Sequence, residues 1–384
     1  MNTFKSMKLG YITKQSPHDV KAYSGTHYSM LRALQAQFED VEVLGPLDHP
    51  YKNVAKLKGR ALRFFDKGIY RYQYNVTLAK KMAAVLDKRI EDTKPDVLLG
   101  SLVSPEVAYL KSKLPLYLTT DSTFPLLHNL YESHSNLNQI TIKNARHLEK
   151  MAFERATKLV VPLQWIADSA IRDYGISSKK IEVVPYGSNF DFQVSEAQVN
   201  AMVKKRASDT KLNLLFVGIR WEEKGGPFAV EVLRKMISLG IEAELTVIGC
   251  SPEISNKPEQ VKVLGFLDKQ DEKGLSILKK SYEQATFFIL PTKAECIGMS
   301  FIEAASYGLP AIGTNVGGVP EAVIQEKTGL IIQKENTPKE VAEWIIDTRK
   351  DERTYSSYSQ NAYSRYLDSM NWKNWGEKVK AILD

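Results

Sequence analysis

The sequence predicts an α/β chain built as two doubly wound domains, each a parallel sheet covered by helices. Three observations carry this. Short apolar runs of strand length recur between amphipathic segments of helix length, the alternation that builds parallel sheets. The alternation breaks once, in the polar stretch 188–211 with its run Lys204, Lys205, Arg206, and then resumes. The chain has 384 residues, two to three times a usual domain, which fits two cores rather than one.

Taken in order, the first half offers strands at 8–13, 41–45, 96–100, 116–120, 158–162 and 181–185. Between them, helices at 28–38, 76–90, 139–155 and 164–174 repeat apolar residues at three- and four-residue spacing. After the break, strand 214–218 leads to helix 227–239, strands 245–249 and 261–265, helix 275–284 and strand 286–291. Further units follow to about Leu367. The predicted boundaries are 1–190 for the first domain, completed by a terminal helix within 368–384, and 191–367 for the second. Ligands of open parallel sheets bind beyond the carboxyl ends of the strands, so a site shared by two facing domains is expected there.

Composition narrows the function. Apolar residues make up 43% and charged residues 25%, an ordinary globular balance that excludes disordered and collagen-like classes. Two cysteines, Cys250 and Cys296, are too few for a disulfide framework and wrongly spaced for structural zinc. No apolar run approaches the 18 residues of a membrane span, and lysines interrupt the start where a signal core would lie. A cytoplasmic setting is expected. The net charge of +7 is uneven. Residues 51–89 hold eleven Lys or Arg against Asp66 and Asp87, a net +9 that leaves −2 for the rest. Phe64, Phe65, Tyr70, Tyr72 and Tyr74 are mixed among these cations. A solvated helix face with its aromatics turned inward is the preferred reading, and peripheral contact with an anionic membrane is the alternative. No recognition motif accompanies the charge, so nucleic acid is not an expected partner.

The chemistry concentrates in Pro291 to Pro310, where an apolar strand gives way to Glu295-Cys-Ile-Gly298-Met-Ser-Phe-Ile-Glu303 and a helix. Were the segment wholly helical, the two glutamates would stand about 12 Å apart along the axis, beyond the roughly 5 to 9 Å of a glycosidase carboxylate pair. They must do different jobs, with Glu295 in the loop and Glu303 in the helix. Gly298 allows backbone to approach a ligand, and the amides of Met299 and Ser300 open the helix as an anion site. A second anchor is Val217-Gly218-Ile219-Arg220-Trp221-Glu222-Glu223-Lys224. Its two cations, four residues apart after a strand, suit a leaving group whose negative charge grows in the transition state.

The Glu-seven-residues-Glu spacing, the central Gly298 and the trailing Glu-Ala-x-x-x-Gly-x-Pro resemble retaining, nucleotide-sugar-dependent glycosyltransferases of the GT-B fold. That group contains sucrose synthases, bacterial glycogen synthases and phosphatidylinositol mannosyltransferases. Gly317-Gly318-Val319-Pro320-Glu321 and Val184-Pro185-Tyr186-Gly187-Ser188-Asn189 are similar to two further family turns. The resemblance implies two Rossmann-like domains facing a cleft that closes during turnover, and a nucleoside diphosphate sugar as donor. It implies that Glu295 contacts hydroxyls of the donor sugar, Glu303 the ribose, and Arg220 and Lys224 the diphosphate. Gly249 and Gly265-Phe266-Leu267 would hold the base through backbone groups, and Gly218 would let the chain leave the sheet at the turn that carries Arg220 and Lys224. The implied mechanism needs no enzyme nucleophile, and neither metal nor other cofactor is expected.

The N-terminal half matches in layout only. In Tyr23-Ser24-Gly25-Thr26-His27, Gly25 stands where relatives carry a glycine-rich loop near the diphosphate and acceptor, while Ser24 or Thr26 could instead cap the next helix. Asp121 occupies the strand end where many relatives have a histidine. It could orient acceptor or donor hydroxyls, or cap the helix that follows. The resemblance allows two rivals to a transferase: a nucleotide-sugar epimerase, which would consume no acceptor, and a non-catalytic binding subunit, which would need disabled site residues.

Overall fold

In the computed structural model, residues 7–62, 68–128, 130–190 and 192–384 are described. They form two compact units. The first reaches Asn189 and regains the chain at Trp372–Asp384, and the second spans Phe190–Asn371.

The first unit runs β1 (Lys8–Thr13), α1 (Thr26–Gln35), β2 (Asp40–Val43), α2 (Tyr51–Leu62), α3 (Val76–Thr93), β3 (Val97–Ser101), α4 (Ser104–Val107), β4 (Leu116–Thr119), α5 (Phe124–Leu127), α6 (Gln139–Arg155), β5 (Lys158–Val161), α7 (Gln164–Tyr174) and β6 (Ile181–Val183). Its six strands pair in the order β2-β1-β3-β4-β5-β6, all parallel. The order reverses after β2, and this crossover leaves the loops after β1, β3 and β4 at the carboxyl edge. β3 and β4 are buried on both faces, as continuous apolar runs in parallel sheets must be.

The second unit opens with α8 (Glu196–Ser208), then β7 (Leu212–Val217), α9 (Gly226–Ser238), β8 (Ala243–Ile248), β9 (Val261–Gly265), α10 (Glu272–Gln284), β10 (Phe287–Leu290), α11 (Met299–Ala305), β11 (Ala311–Thr314), α12 (Val319–Ala322), β12 (Gly329–Ile332), α13 (Pro338–Lys350) and α14 (Glu352–Asp368). The sheet order is β12-β11-β10-β7-β8-β9, again parallel throughout. Phe216, Phe287, Phe288 and Phe301 are almost wholly buried between sheet and helices.

The polar stretch 188–211 carries a helix, α8, opened by a reciprocal capping box between Ser195 and Gln198. Its Arg206 is buried and donates to main-chain carbonyls of Tyr282, Glu283, Tyr307 and Gly308, so a residue of the charged run ties α8 to the ends of α10 and α11. The terminal helix α15 (Trp372–Leu383) falls within the expected stretch 368–384. Trp375 is wholly buried, and a Cβ on Gly376 would stand 2.9 Å from the Ala33 carbonyl oxygen of α1. Glycine is what lets α15 lie against α1.

Candidate functional site

In the second unit the loops after β7 and β10 converge. Gly218 follows β7, its amide bonded to the Ile248 carbonyl at 2.9 Å. The chain then turns through Arg220 and Lys224 into α9, capped by Gly225 at φ 77°. A Cβ on Gly225 would stand 1.9 Å from the Pro291 carbonyl oxygen, so glycine is required for this loop to touch the end of β10. Trp221 wedges beneath the turn. Its ring meets Phe216 edge-on at 5.1 Å and lies 2.2 Å from where a Cβ on Gly226 would be.

The contact brings Lys224 to Glu295. The Lys224 ammonium donates to Glu295 Oε2 at 2.9 Å and to the Ala294 carbonyl at 3.0 Å. Both side chains are largely buried, at 13% and 15% exposed. The Thr292 hydroxyl donates to the same carbonyl at 2.8 Å, which fixes the bend. Arg220 pairs with Glu223 at 3.1 Å and remains 53% exposed. Gly298 caps α11 at φ 76°, and Phe301 packs where its Cβ would be. The amides of Met299 and Ser300 precede the first intrahelical bonds, which begin at Phe301. The Gly318 amide donates to the Glu295 carbonyl at 3.4 Å, so the glycine-rich turn at 317–321 braces the loop that carries Glu295.

Glu303 sits inside α11 and is buried. Its Oε1 is 2.5 Å from the Lys269 ammonium, and its Oε2 accepts from the Tyr282 hydroxyl at 3.1 Å. Burial beside this carboxylate drives the Tyr282 phenol well above its ordinary range. Gly265 ends β9 at φ 72° with its carbonyl bonded to the Gly249 amide, and the Phe266 side chain is 68% exposed. Thus Gly218, Arg220, Lys224, Glu295, Gly298, Met299, Ser300, Glu303, Gly265 and Phe266 all belong to this one unit, at or beyond the carboxyl ends of its strands.

Gly25 and Asp121 belong to the first unit. Gly25 is itself the N-cap of α1, at φ 89°, after Tyr23 and Ser24, which are also left-handed. Neither Ser24 nor Thr26 caps the helix, contrary to one expectation. The Asn189 amide group donates to the Ser24 carbonyl and to the Thr26 hydroxyl, each at 3.0 Å, and its oxygen accepts from the Trp372 indole. Asn189 comes from the turn singled out by sequence, but its grip on the Gly25 loop was not legible there. His27 follows, buried, its ring 4.9 Å from that of Tyr23.

Asp121 follows β4, and the N-cap of α5 is Thr123, without a side-chain cap. The Phe124 amide that opens α5 goes to Glu149 Oε2 at 2.7 Å, which also accepts from the Tyr174 hydroxyl at 2.5 Å. Burial pushes the Glu149 carboxyl up to about 7, and the Asp121 charge adds to the shift. Sequence reasoning missed Trp221, Lys269, Tyr282 and Glu149. Only Trp221, inside a motif already singled out, had a signal.

A cavity of about 480 Å3 lies elsewhere in the second unit, lined by Lys211, Glu244 and Lys262 at the starts of β7, β8 and β9. Open parallel sheets bind ligands at the opposite edge, so the converging loops, not this volume, form the candidate site. Among the described residues there is no group of three or more His, Cys, Asp or Glu that could hold a metal ion, and no helix is long and apolar enough to cross a membrane.

Comparison with known proteins agrees with this layout. The family profile Glycosyltransferase Family 4 matches residues 26–192, and Glycosyl transferases group 1 matches residues 198–365. A capsular polysaccharide biosynthesis glycosyltransferase of Staphylococcus aureus is 27% identical over 245 residues, covering 62% of this chain and 64% of that protein. The chain spans between 46% and 64% of the length of several curated relatives that it matches. The sucrose-phosphate synthase of Thermosynechococcus elongatus superposes with a TM-score of 0.67 at 16% identity, over 98% of both chains. Anabaena HepE, solved in complex with UDP-glucose, superposes at 0.63 with 14% identity, over 98% of this chain and 99% of its own. With two glycosyltransferase profiles matched in succession and that fold shared almost end to end, the chain belongs to the GT-B glycosyltransferases, its C-terminal unit a group 1 domain.

Proposed function

We propose that this protein transfers a sugar from a nucleoside diphosphate donor to an acceptor hydroxyl, with retention at the anomeric carbon. The observation that carries the reading is the Lys224–Glu295 pair. It joins a cation and an acid from two different loops at 2.9 Å, beside the Gly298 cap. The UDP-glucose complex of HepE supports the donor class.

On this reading the donor diphosphate rests against Lys224, Arg220 and the amides of Met299 and Ser300. Glu295 accepts hydrogen bonds from hydroxyls of the transferred sugar, and Glu303 from the ribose. Gly218, Gly265 and the exposed Phe266 flank the base. Cleavage of the anomeric C–O bond leaves its electron pair on the departing phosphate. Lys224 and Arg220 stabilise that growing charge more than they stabilise the bound donor. The acceptor oxygen attacks the face just vacated, and its proton passes to the phosphate. With two cations in place the chemistry calls for no metal.

The first unit would bind the acceptor, with Asp121 orienting one of its hydroxyls and Gly25 in the loop that opens α1. We also propose a cytoplasmic protein that rests on anionic membrane through residues 51–89. On α2, Val54 and Leu57 are 45% and 64% exposed, between the exposed Lys56, Lys58 and Arg60, while α3 adds exposed Lys80, Lys81 and Lys88. The aromatics are not simply turned inward. Lys56 stands over the half-buried Tyr72 ring at 5.0 Å, and Lys58 and Lys81 flank Tyr51. Residues 63–67, including Phe64, Phe65 and Asp66, lie outside the described residues.

Thermal-shift titration with UDP-, GDP- and ADP-sugars identifies the donor, because a true donor stabilises the folded protein by mass action. Turnover of that donor should then fall about 100- to 1000-fold in Lys224→Ala and in Glu295→Ala. Wild-type rates in either variant would sink the site assignment. A product of inverted anomeric configuration, read by NMR, would refute retention, and donor consumption without acceptor would point to an epimerase.

A further inference from the structure

Glu303 is 5% exposed, and the cation that neutralises it comes from outside its own helix. Lys269 lies in the loop between β9 and α10, four residues beyond Gly265. Its ammonium is 2.5 Å from Glu303 Oε1 and 4.7 Å from the centre of the Phe190 ring. The lysine side chain is 39% exposed. A partly solvated cation therefore reaches in to a carboxylate that is almost closed to water.

Three elements face this carboxylate. The loop contributes Lys269, α10 the Tyr282 hydroxyl at 3.1 Å, and the turn after α11 the Tyr307 phenol, whose field also includes Glu303. Burial raises both phenols above their ordinary range, so both are neutral between pH 6 and 8. The compensating charge comes from Lys269.

We propose that Lys269 is a positioning residue for nucleotide recognition, its ammonium pairing with and fixing the Glu303 carboxylate so that both carboxylate oxygens can accept from the hydroxyls of the donor ribose. This rests on reading Glu303 as the ribose contact. Gripping a vicinal diol takes an acceptor on each oxygen. A protonated carboxyl turns one of those oxygens into a donor, and a carboxyl buried beside phenols alone takes its proton at a higher pH than one beside an ammonium. The diphosphate of a nucleotide sugar has no group that titrates between pH 6 and 8, so a pH dependence of binding in that range reports on the protein.

The test is calorimetric titration, at pH 6 and pH 8, of whichever of UDP-, GDP- or ADP-glucose the wild type binds, with Lys269→Met, Lys269→Arg and Glu303→Gln alongside. Lys269→Met should bind about tenfold more weakly at pH 8 and about a hundredfold more weakly at pH 6, while the wild type changes less than about threefold. Lys269→Arg should restore the flat profile. In turnover the loss should fall on the donor KM, with kcat at saturating donor within about twofold of wild type. Circular dichroism at both pH values separates unfolding from lost affinity, and Lys269→Gln replaces the Met variant should that variant not fold. A lowered melting temperature with an unchanged pH profile would reduce Lys269 to a structural contact and overturn the proposal. Tighter binding by Lys269→Met would overturn it too, making the lysine a plug. Wild-type affinity in Glu303→Gln would remove the ribose assignment and this proposal while leaving the donor reading intact. A wild type that binds none of the three sugars would sink the donor reading itself.

Discussion

Replacing Gly225 by alanine should separate backbone strain from catalytic geometry, because the same domain provides its own control. Gly225 and Gly240 have nearly identical left-handed φ values, 77° and 78°. A Cβ on Gly240 meets nothing within 4 Å, whereas one on Gly225 would stand 1.9 Å from the Pro291 carbonyl oxygen. Both variants carry the left-handed penalty of about 1–2 kcal/mol, partly offset by about 0.4–1 kcal/mol from a stiffer unfolded chain. In a unit of this size each 1 kcal/mol lowers the melting temperature by about 2–4 °C. Gly225→Ala must also open the contact to about 3.3 Å, a separation of about 1.4 Å between the loops after β7 and β10. Those loops carry Lys224 on one side and Ala294 and Glu295 on the other. A misplacement of about 1 Å at reacting groups costs on the order of 100-fold. The assay is kcat/KM with the identified donor, beside the thermal unfolding of both variants. Gly240→Ala should keep its rate and lose a few degrees, while Gly225→Ala should lose at least about 100-fold in rate. Rates within about threefold of each other would refute the claim that this contact sets the site geometry.

Further outcomes follow from side chains away from the reacting groups. Arg206→Met strands the carbonyls of Tyr282, Glu283, Tyr307 and Gly308 and should destabilise the second unit by about 3 kcal/mol or more in denaturant unfolding; an unchanged midpoint would refute that role. His27 is buried, and burial lowers its imidazole to about 4. Its folded value lies below the ordinary 6.5, so its contribution to stability is complete above pH 6.5 and drains away as pH falls toward 4. His27→Phe should flatten that part of the wild-type stability curve. Glu149 has the opposite sign: its folded value of about 7 lies above the ordinary 4.5, so its contribution is full below pH 4.5 and is lost as pH rises to 7. Glu149→Gln should remove that decline. Leu57→Glu should weaken sedimentation with anionic liposomes while leaving neutral ones unaffected, and wild-type binding that ignores lipid charge would end the membrane reading.

The parallel sheets were legible because burial on both faces forces continuous apolar runs, as in β1, which falls at the expected residues 8–13; β9 also falls as expected, at 261–265, although as an edge strand it leaves alternate residues exposed. The helices α6 and α7 match residue for residue, since their apolar spacing is uninterrupted and α6 carries an asparagine cap at Asn138. In the site, Glu295, Gly298 and Glu303 stood out because their job imposes a fixed spacing along one loop and one helix. Their partners carry no such spacing. Lys224, legible from its own motif, meets Glu295 71 residues away because β7 and β10 become neighbours, and Lys269 reaches Glu303 34 residues away from the loop before α10. Glu149 shows the same limit from the other side, as a helix residue of no distinctive pattern that settles the start of α5 through one hydrogen bond. A motif records which groups the chemistry needs, while the group that holds one of them in place is supplied by the fold, so the hardest residues to read are those like Lys269, whose removal should change donor affinity rather than kcat.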